Sequence, residues 1–285
     1  MVGKSEHTPK ARALGAEIRK CRLEAGLTQQ ELAAQIGVSH VSVSRYESGT
    51  RSPKPEDVAQ ILATLGVNGE KYAELVDMSR SAEQLNWLVE IGPTGIRREL
   101  TTLIELEKTA TTITDVATGV IPGLLQSGDY ARAVMSEAPG SDLEARVAMR
   151  VGRRDVLMSS DPPVFVAFIA EAALREPIGG CAILADQLRL VRKMSELPNV
   201  VVQVLPAQSQ QWHPAHAGSF ILFEFAKTES IVHVEHLASG AFLYSKKEVA
   251  AHAAAVTRLR ELAMTPDRSA DCIAEIIEGL EGGRP

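Results

Sequence analysis

The sequence predicts two parts, an all-α head of five short helices followed by an α+β domain with a central sheet. Residues 11–80 contain closely spaced helix caps and glycines, whereas residues 113–285 contain several short runs of β-branched and aromatic residues. A chain of 285 residues is long enough for two domains of ordinary size. We therefore predict a flexible tail, the head, a helical connector and the α+β domain at residues 1–10, 11–80, 81–112 and 113–285 respectively.

In the head, local start and stop signals predict each helix. The first helix is predicted over residues 13–25. Thr28 caps the second, and Glu31 three residues later completes a capping box. Ser39 caps the third, which ends before Gly49. The fourth and fifth are predicted over residues 55–65 and 68–79.

The third predicted helix, VSHVSVSRYESG, has an unusual polar side. Val38, Val43 and Tyr46 lie at roughly helical spacing and predict one buried side. The other side carries serines, a histidine, a valine and an arginine, where a helix that only needed solubility would more often use Glu and Lys. Two short helices joined by a glycine-containing turn, the second with an exposed polar face, form a helix-turn-helix.

The stretch LTQQELAAQIGVSHVSVSRYESGTRSPKPEDVAQILATLGV resembles the helix-turn-helix of Xre/Cro/C1-type phage repressors, through the combination TQxELA, G-V-S, SRYExG and R-x-P. The resemblance implies that the third helix enters the major groove of double-stranded DNA. It implies four residues that contact base edges, which are His40, Val41, Ser44 and Arg45. It also implies five residues that contact phosphates, which are Gln29, Ser39, Ser42, Arg51 and Lys54.

The same resemblance implies an ion pair between Arg22 and Glu47. We interpret this pair as structural, because it would hold the third helix to the first without contacting DNA. The alternative to DNA binding is a helix-turn-helix fold that only contacts other proteins.

The charge is distributed unevenly along the chain. The net charge is −6, but residues 1–55 hold nine Lys and Arg against five Asp and Glu. A basic head on an acidic body indicates that the head meets a polyanion. No apolar run approaches the roughly 18 residues of a membrane span, and three scattered cysteines without a CxxC motif indicate no disulfide framework. We expect a cytoplasmic, nucleoid-associated protein.

In the second part, a helix over residues 94–108 is predicted to connect the head to an α+β domain. Strands are predicted over residues 164–169, 200–206, 218–225, 230–236 and 240–245. Helices are predicted over residues 141–159, 246–263 and 267–280. Strands in the centre with helices on both sides along the chain predict a central sheet.

Four segments, IPGLLQSGDYARAV, AEAALREPIGG…LADQLRLV, NVVVQVLP and LRELAMTPDRSADCIAEI, resemble the uncharacterised domain that follows an Xre head in regulators of sporulating soil bacteria. These regulators are called antitoxin-like or WhiJ-like. The resemblance implies a small companion protein as a partner and names no catalytic residue.

The remaining motifs indicate neither catalysis nor a metal. His213 and His216 in WHPAH, and His233 and His236 in HVEH, raise the question of a zinc site. Strand alternation places His233 and His236 on opposite faces, however. The sequence contains no GxSxG, GxGxxG or GxxxxGK[ST] motif. We expect no catalytic site, no metal and no cofactor.

One stripe of basic residues has two interpretations. Arg146, Arg150, Arg153 and Arg154 share one side of a predicted helix. They form either a solvated face with local ion pairs or a docking stripe for an acidic partner or a shoulder of the DNA.

Together these observations predict a DNA-binding transcriptional regulator that acts as a homodimer on a short palindromic operator. Its C-terminal domain is expected to dimerise and to bind a small companion protein or a small-molecule ligand. One alternative is an antitoxin-like protein that masks a small partner and binds DNA for autoregulation. Another is a small-molecule-sensing repressor.

Overall fold

The computed structural model describes residues 8–80, 86–90, 93–136, 142–207, 211–236 and 239–282. The five predicted head helices are present, which are α1 (Pro9–Glu24), α2 (Gln29–Ile36), α3 (His40–Glu47), α4 (Pro55–Thr64) and α5 (Gly69–Arg80). The head is all-α, as predicted. Its core consists of side chains from different helices, including the fully buried Leu14, Ile18, Leu32 and Ile61.

The first helix begins four residues earlier than predicted. The Oγ1 atom of Thr8 accepts a hydrogen bond of 2.9 Å from the backbone N–H of Ala11, and a proline stands in the first turn. Both features favour a helix start, because they supply a cap and a fixed φ angle. Residues 9 and 10 therefore belong to α1, and Thr8 is its N-cap.

The turns between α1, α2 and α3 follow the predicted caps. Thr28 and Glu31 form both hydrogen bonds of the capping box. Gly37 ends α2 in the left-handed region, with φ at 70°. The Oγ atom of Ser39 accepts a hydrogen bond of 3.1 Å from the N–H of Ser42 and caps α3. These local contacts define the helix-turn-helix.

The rest of the chain contains seven further helices and seven strands in the described residues. The helices are α6 (Pro93–Thr109), α7 (Gly128–Met135), α8 (Leu143–Gly152), α9 (Glu171–Arg175), α10 (Cys181–Met194), α11 (Lys246–Leu262) and α12 (Pro266–Glu281). The strands are β1 (Asn86–Glu90), β2 (Thr112–Ala117), β3 (Val164–Ala170), β4 (Val200–Leu205), β5 (Phe220–Glu224), β6 (Ile231–His236) and β7 (Ser239–Leu243). The predicted α+β class is confirmed.

The chain folds into two compact units. The first runs to Leu106 and includes Lys227–Ile231 and β7, which pairs antiparallel with β1. The second comprises Glu107–Ala226, Val232–Glu235 and the chain from Lys247. These limits differ from the predicted boundaries at residues 80 and 112, because segments that are distant in the sequence belong to the same unit.

The second unit is built on a mixed sheet in which the strands follow the order β6-β5-β2-β3-β4. Strands β2, β3 and β4 are parallel, and β5 runs antiparallel to β2. The edge strand β4 is covered by the start of α12: the N–H of Val204 donates to Ser269 Oγ (2.9 Å), and the carbonyl of Val204 accepts from Met264 N–H (2.8 Å). An edge covered in this way is closed to further strand pairing.

Two details of this unit differ from the sequence prediction. Strand β2 was not predicted, because Thr and Asp interrupt its apolar pattern. The helix predicted over residues 141–159 is α8 followed by a 3₁₀ turn, Arg153–Met158. In the described part of the chain, no helix has the length and apolar character that a bilayer span needs.

Candidate nucleic-acid interface

The exposed face of α3 carries most of the residues that the sequence predicts to contact base edges. His40, Val41 and Arg45 are exposed, and Val41 shows 54% of its surface to solvent. Ser44 is half-buried. On the opposite side Val43 and Tyr46 belong to the core of the head. An exposed valine between polar side chains suits contact with a thymine methyl group, and an exposed guanidinium suits guanine.

The start of α3 is fixed by two serines. The Oγ atoms of Ser39 and Ser42 lie 2.9 Å apart, and Ser39 also caps the helix. The first turn of a helix presents backbone N–H groups and the positive end of the helix dipole, which together attract anions such as phosphate. Both serines therefore lie in the turn of α3 that would attract an anion.

An ion pair holds α3 to α1. Arg22 Nε donates to Glu47 Oε1 at 2.5 Å, and Arg22 Nη2 donates to Glu47 Oε2 at 2.9 Å. The side chains are 8% and 3% exposed, and the hydrogen bonds to Glu47 raise the pKa of Arg22. Arg22 Nη1 also donates to the carbonyl of Leu27 at 2.7 Å, which ties in the turn before α2. This geometry suits the structural role that the sequence suggested.

Gln29 is bound to the same carboxylate as Arg22. Its Nε2 atom donates to Glu47 Oε2 at 2.8 Å. An amide nitrogen carries two hydrogens, so this bond uses only one of the two donors of Gln29. The bond to Glu47 places Gln29 relative to α3, a link that the sequence analysis missed because no local pattern signals it.

One residue that sequence reasoning missed is Gly15 on α1. A Cβ atom at Gly15 would lie 2.3 Å from the carbonyl oxygen of Tyr46 and 2.7 Å from that of Glu47. The end of α3 therefore packs directly on the backbone of α1, and only glycine leaves room for it. Gly15 and the Arg22–Glu47 pair together fix the orientation of the exposed face.

Arg51 and Lys54 lie in the segment after α3 and are exposed. The guanidinium of Arg51 lies 5.7 Å from the centre of the Tyr46 ring, a cation–π distance. The backbone N–H of Arg51 donates to the carbonyl of Arg45 (3.2 Å), and the N–H of Lys54 donates to Asp57 Oδ2 (3.2 Å). Both cations thus extend from an ordered turn beside α3.

The outer face of α3 is exposed and polar, and its inner side is held to α1 by an ion pair and a close backbone contact. This arrangement defines a helix-turn-helix head. Residues 13–75 match the family described as "Helix-turn-helix domain". Residues 100–275, more than half of the chain, match the family described as "Domain of unknown function (DUF5753)". The chain therefore belongs to the DUF5753 family. The predicted resemblances to an Xre-type head and to the uncharacterised domain that follows such heads are confirmed.

Individual proteins resemble the head. The cryptic phage CTXphi transcriptional repressor RstR of Vibrio cholerae is 41% identical over 66 residues, which are 23% of this chain and 57% of that protein. The chain thus spans little more than half of this curated relative. The solved structure of the clp gene regulator ClgR from C. glutamicum is 28% identical and covers 28% of this chain and 97% of its own, with a TM-score of 0.22. The family match of the head and the similarity to the phage repressor support DNA-binding transcriptional regulation, a function that is typically non-enzymatic.

The basic stripe predicted in the second unit is only partly displayed. Arg153 is 6% exposed, and its Nε and Nη2 atoms bind the carboxylate of Glu107 at 2.5 to 3.2 Å. Arg150 and Arg154 are half-buried and donate to the side-chain and backbone oxygens of Gln126. The helical spacing ends at Gly152, so Arg153 does not continue a solvated or docking face. Arg146 is also half-buried.

Two of the four histidines considered as zinc ligands are in contact with each other. The rings of His213 and His216 stack with centroids 3.8 Å apart. His233 is buried on β6, and the side chain of His236 lies outside the described residues. Among the side chains that the structure describes, no three His, Cys, Asp or Glu residues are grouped to hold a metal ion.

Proposed function

We propose that the protein is a sequence-specific transcriptional regulator that binds a short palindromic operator as a homodimer. The observation that carries the proposal is the exposed face of α3, with Val41 and Arg45 turned to solvent while the ion pair behind them is buried. In this proposal His40, Val41, Ser44 and Arg45 contact base edges in the major groove.

The residues around α3 supply the backbone contacts in this proposal. Those assigned to phosphates are Gln29, Ser39, Ser42, Arg51 and Lys54, which lie before, at the start of and after the helix. Contacts to phosphate orient the protein on the duplex and carry no sequence information directly. The excess of basic residues over residues 1–55 supports a surface that attracts the DNA backbone.

A dimer follows from the size of the head. One small helical module buries too little surface for tight operator binding, so two heads must lie about one helical turn, roughly 34 Å, apart. We assign dimerisation to the C-terminal domain, together with the binding of a small companion protein or ligand. Arg146, Arg150 and Arg154 remain candidates for docking an acidic partner. A regulator of chromosomal DNA acts in the cytoplasm, at the nucleoid.

The experiment is selection of binding sites from a pool of random DNA duplexes by the purified full-length protein. We expect enrichment of an inverted repeat whose half-sites are about one helical turn apart. Arg45→Ala should lose one preferred base pair in each half-site. Arg19→Ala removes the same charge from an exposed position on α1 and should select the same sequence as the native protein. Failure of the native protein to enrich any sequence would refute the proposal.

A further inference from the structure

One contact of the first unit joins two residues that lie 216 positions apart in the sequence. Arg12 on α1 donates a hydrogen bond of 2.5 Å from Nη2 to Thr228 Oγ1. Thr228 lies in the β5–β6 loop, which comprises residues 225–230 between these two strands. Arg12 and Thr228 both belong to the first unit, together with the helix-turn-helix. A loop far outside the helix-turn-helix match, residues 13–75, therefore contacts the helix on which α3 packs.

Arg12 lies directly against the turn that follows α3. A Cβ atom at Gly49 would be 2.7 Å from the Cα atom of Arg12 and 2.9 Å from its Cγ atom. Gly49 has a φ of 68°, in the left-handed region that glycine adopts without strain. Three residues further along α1, Gly15 makes a similarly close contact with the carbonyl oxygen of Tyr46. The side chain of Arg12 therefore starts at the contact that fixes the end of α3 and ends at Thr228.

The hydrogen bond between Arg12 and Thr228 is partly shielded from water, because both residues are half-buried. Burial lowers the pKa of Arg12 to about 10, so its guanidinium group is still charged at neutral pH. Hydrogen bonds from charged groups are stronger than those between neutral groups. Removing the hydroxyl group of Thr228 would leave a partly buried cation with one acceptor fewer, which is costly.

A second contact of the β5–β6 loop is a weaker anchor. Glu229 Oε1 lies 3.7 Å from Lys246 Nζ, and these side chains are 59% and 87% exposed. An exposed ion pair of this kind contributes little to stability, because water and salt screen it. We therefore assign the attachment of the loop to α1 to Thr228 and not to Glu229.

We propose that Thr228 is a positioning residue for DNA reading: it holds Arg12, and thereby the start of α1 and the end of α3, so that the outer face of α3 meets the base edges in the correct orientation. This inference rests on the DNA-binding function proposed above. Hydrogen bonds to base edges carry the specificity and depend on precise geometry, whereas attraction to phosphates is largely electrostatic. Loss of the Thr228 contact should therefore reduce discrimination between operator and random DNA more than it reduces binding to DNA in general.

The experiment is competition binding of the full-length protein to the selected operator and to random duplexes. Thr228→Val keeps the shape of the side chain and removes its hydroxyl group. We expect the ratio of operator to random affinity to fall about tenfold, the equivalent of one hydrogen bond to a charged group, with an unchanged salt dependence. Thr228→Ser keeps the hydroxyl group and should restore the ratio. Thr257→Val is the control and should match the native protein, because the Thr257 hydroxyl donates within α11, to the carbonyl of Ala253 (3.1 Å).

Hydrogen exchange of the α1 and α3 amides without DNA tests the contact itself. Exchange through local opening should be about tenfold faster in Thr228→Val and close to native in Thr228→Ser. An unchanged affinity ratio in Thr228→Val would overturn the proposal, whatever the exchange rates show. A salt slope lowered by about one in Arg12→Met would also overturn it, because Arg12 would then contact a phosphate itself. The proposed function fails separately, if the native protein selects no operator.

Discussion

Among the residues that the structure describes, the head and the second unit each contain a buried arginine–glutamate pair, and the two pairs differ in what surrounds them. In the head, Glu47 accepts two hydrogen bonds from Arg22 and one from Gln29. In the second unit, the pair of Arg153 and Glu107 lies beside Asp115, to which no described donor is bound.

This difference indicates where each part of the molecule presents its chemistry. A fully satisfied ion pair stabilises one arrangement of helices, so the functional surface of the head is the outer face of α3. In the second unit, burial raises the pKa of the Asp115 carboxyl group to about 7, against the opposing effect of Arg153. The same residue types form a satisfied scaffold in the head and lie near a carboxyl group with a raised pKa in the second unit.

The largest expected effect comes from breaking the pair in the head. Arg22→Ala leaves Glu47 buried without its cation and should cost about 3–5 kcal/mol of stability in α1–α3. The double variant Arg22→Met, Glu47→Leu removes both charges and should cost less. Hydrogen exchange of the α1–α3 amides in the full-length protein measures both. Equal and small losses in the two variants would contradict a buried pair.

The second-largest effect is the pH dependence of stability that comes from the carboxyl group of Asp115. Folding raises the pKa of Asp115 from 3.8 to about 7, so the folded state holds the proton more tightly than the unfolded state. Its contribution to stability is therefore fully present below pH 4 and is lost as the pH rises through 7. We expect a loss on the order of 3 kcal/mol between pH 5 and pH 8.

Urea unfolding of the native protein and of Asp115→Asn at several pH values isolates this contribution. The difference between the two proteins should change steadily from pH 5 to pH 7 and level off above pH 7. Asp161→Asn is the control and should follow the native protein at every pH. If Asp115→Asn followed the native protein as well, Asp115 would not carry the raised pKa.

A smaller effect concerns DNA recognition by α3. Arg45→Ala should weaken binding to the selected operator by roughly 1–3 kcal/mol and relax the preference at one base pair of each half-site. Its affinity for random DNA should fall much less. Competition binding with operator and random duplexes measures the ratio. An unchanged ratio would show that Arg45 does not read a base.

The smallest effect is expected at Gln29. Gln29→Ala should weaken operator and random DNA about equally, because a phosphate contact positions the protein without reading sequence. Gln29 is neutral, so the salt dependence of binding should stay the same. Lys54→Ala is the useful contrast, since removing a cation should lower the salt slope by about one. A loss of specificity in Gln29→Ala would mean that this residue affects base reading through Glu47.

The sequence predicted the head helices well because caps and glycines are local signals. Thr28, Gly37 and Ser39 act within three residues of their own positions. The close approach at Gly15 and the bond from Gln29 to Glu47 are tertiary contacts between different helices, and no spacing along the chain indicates them.

In the second unit the prediction failed around Asp115 and Arg153. Strand β2 escaped prediction because Asp115 interrupts its apolar pattern, and the stripe that includes Arg153 was expected at the surface because helical periodicity was extended past Gly152. Both errors concern charged residues in buried positions, where local rules are broken and tertiary contacts compensate.

The central claim is that the outer face of α3 reads DNA while the buried pair behind it only holds the helix. Guanine-N7 methylation interference on the selected operator tests this claim most directly. With the native protein, methylation of one guanine in each half-site should block binding, because Arg45 approaches N7 and O6 in the major groove. With Arg45→Ala, methylation of that guanine should no longer matter, while the rest of the pattern remains. An identical pattern for both proteins would contradict the claim.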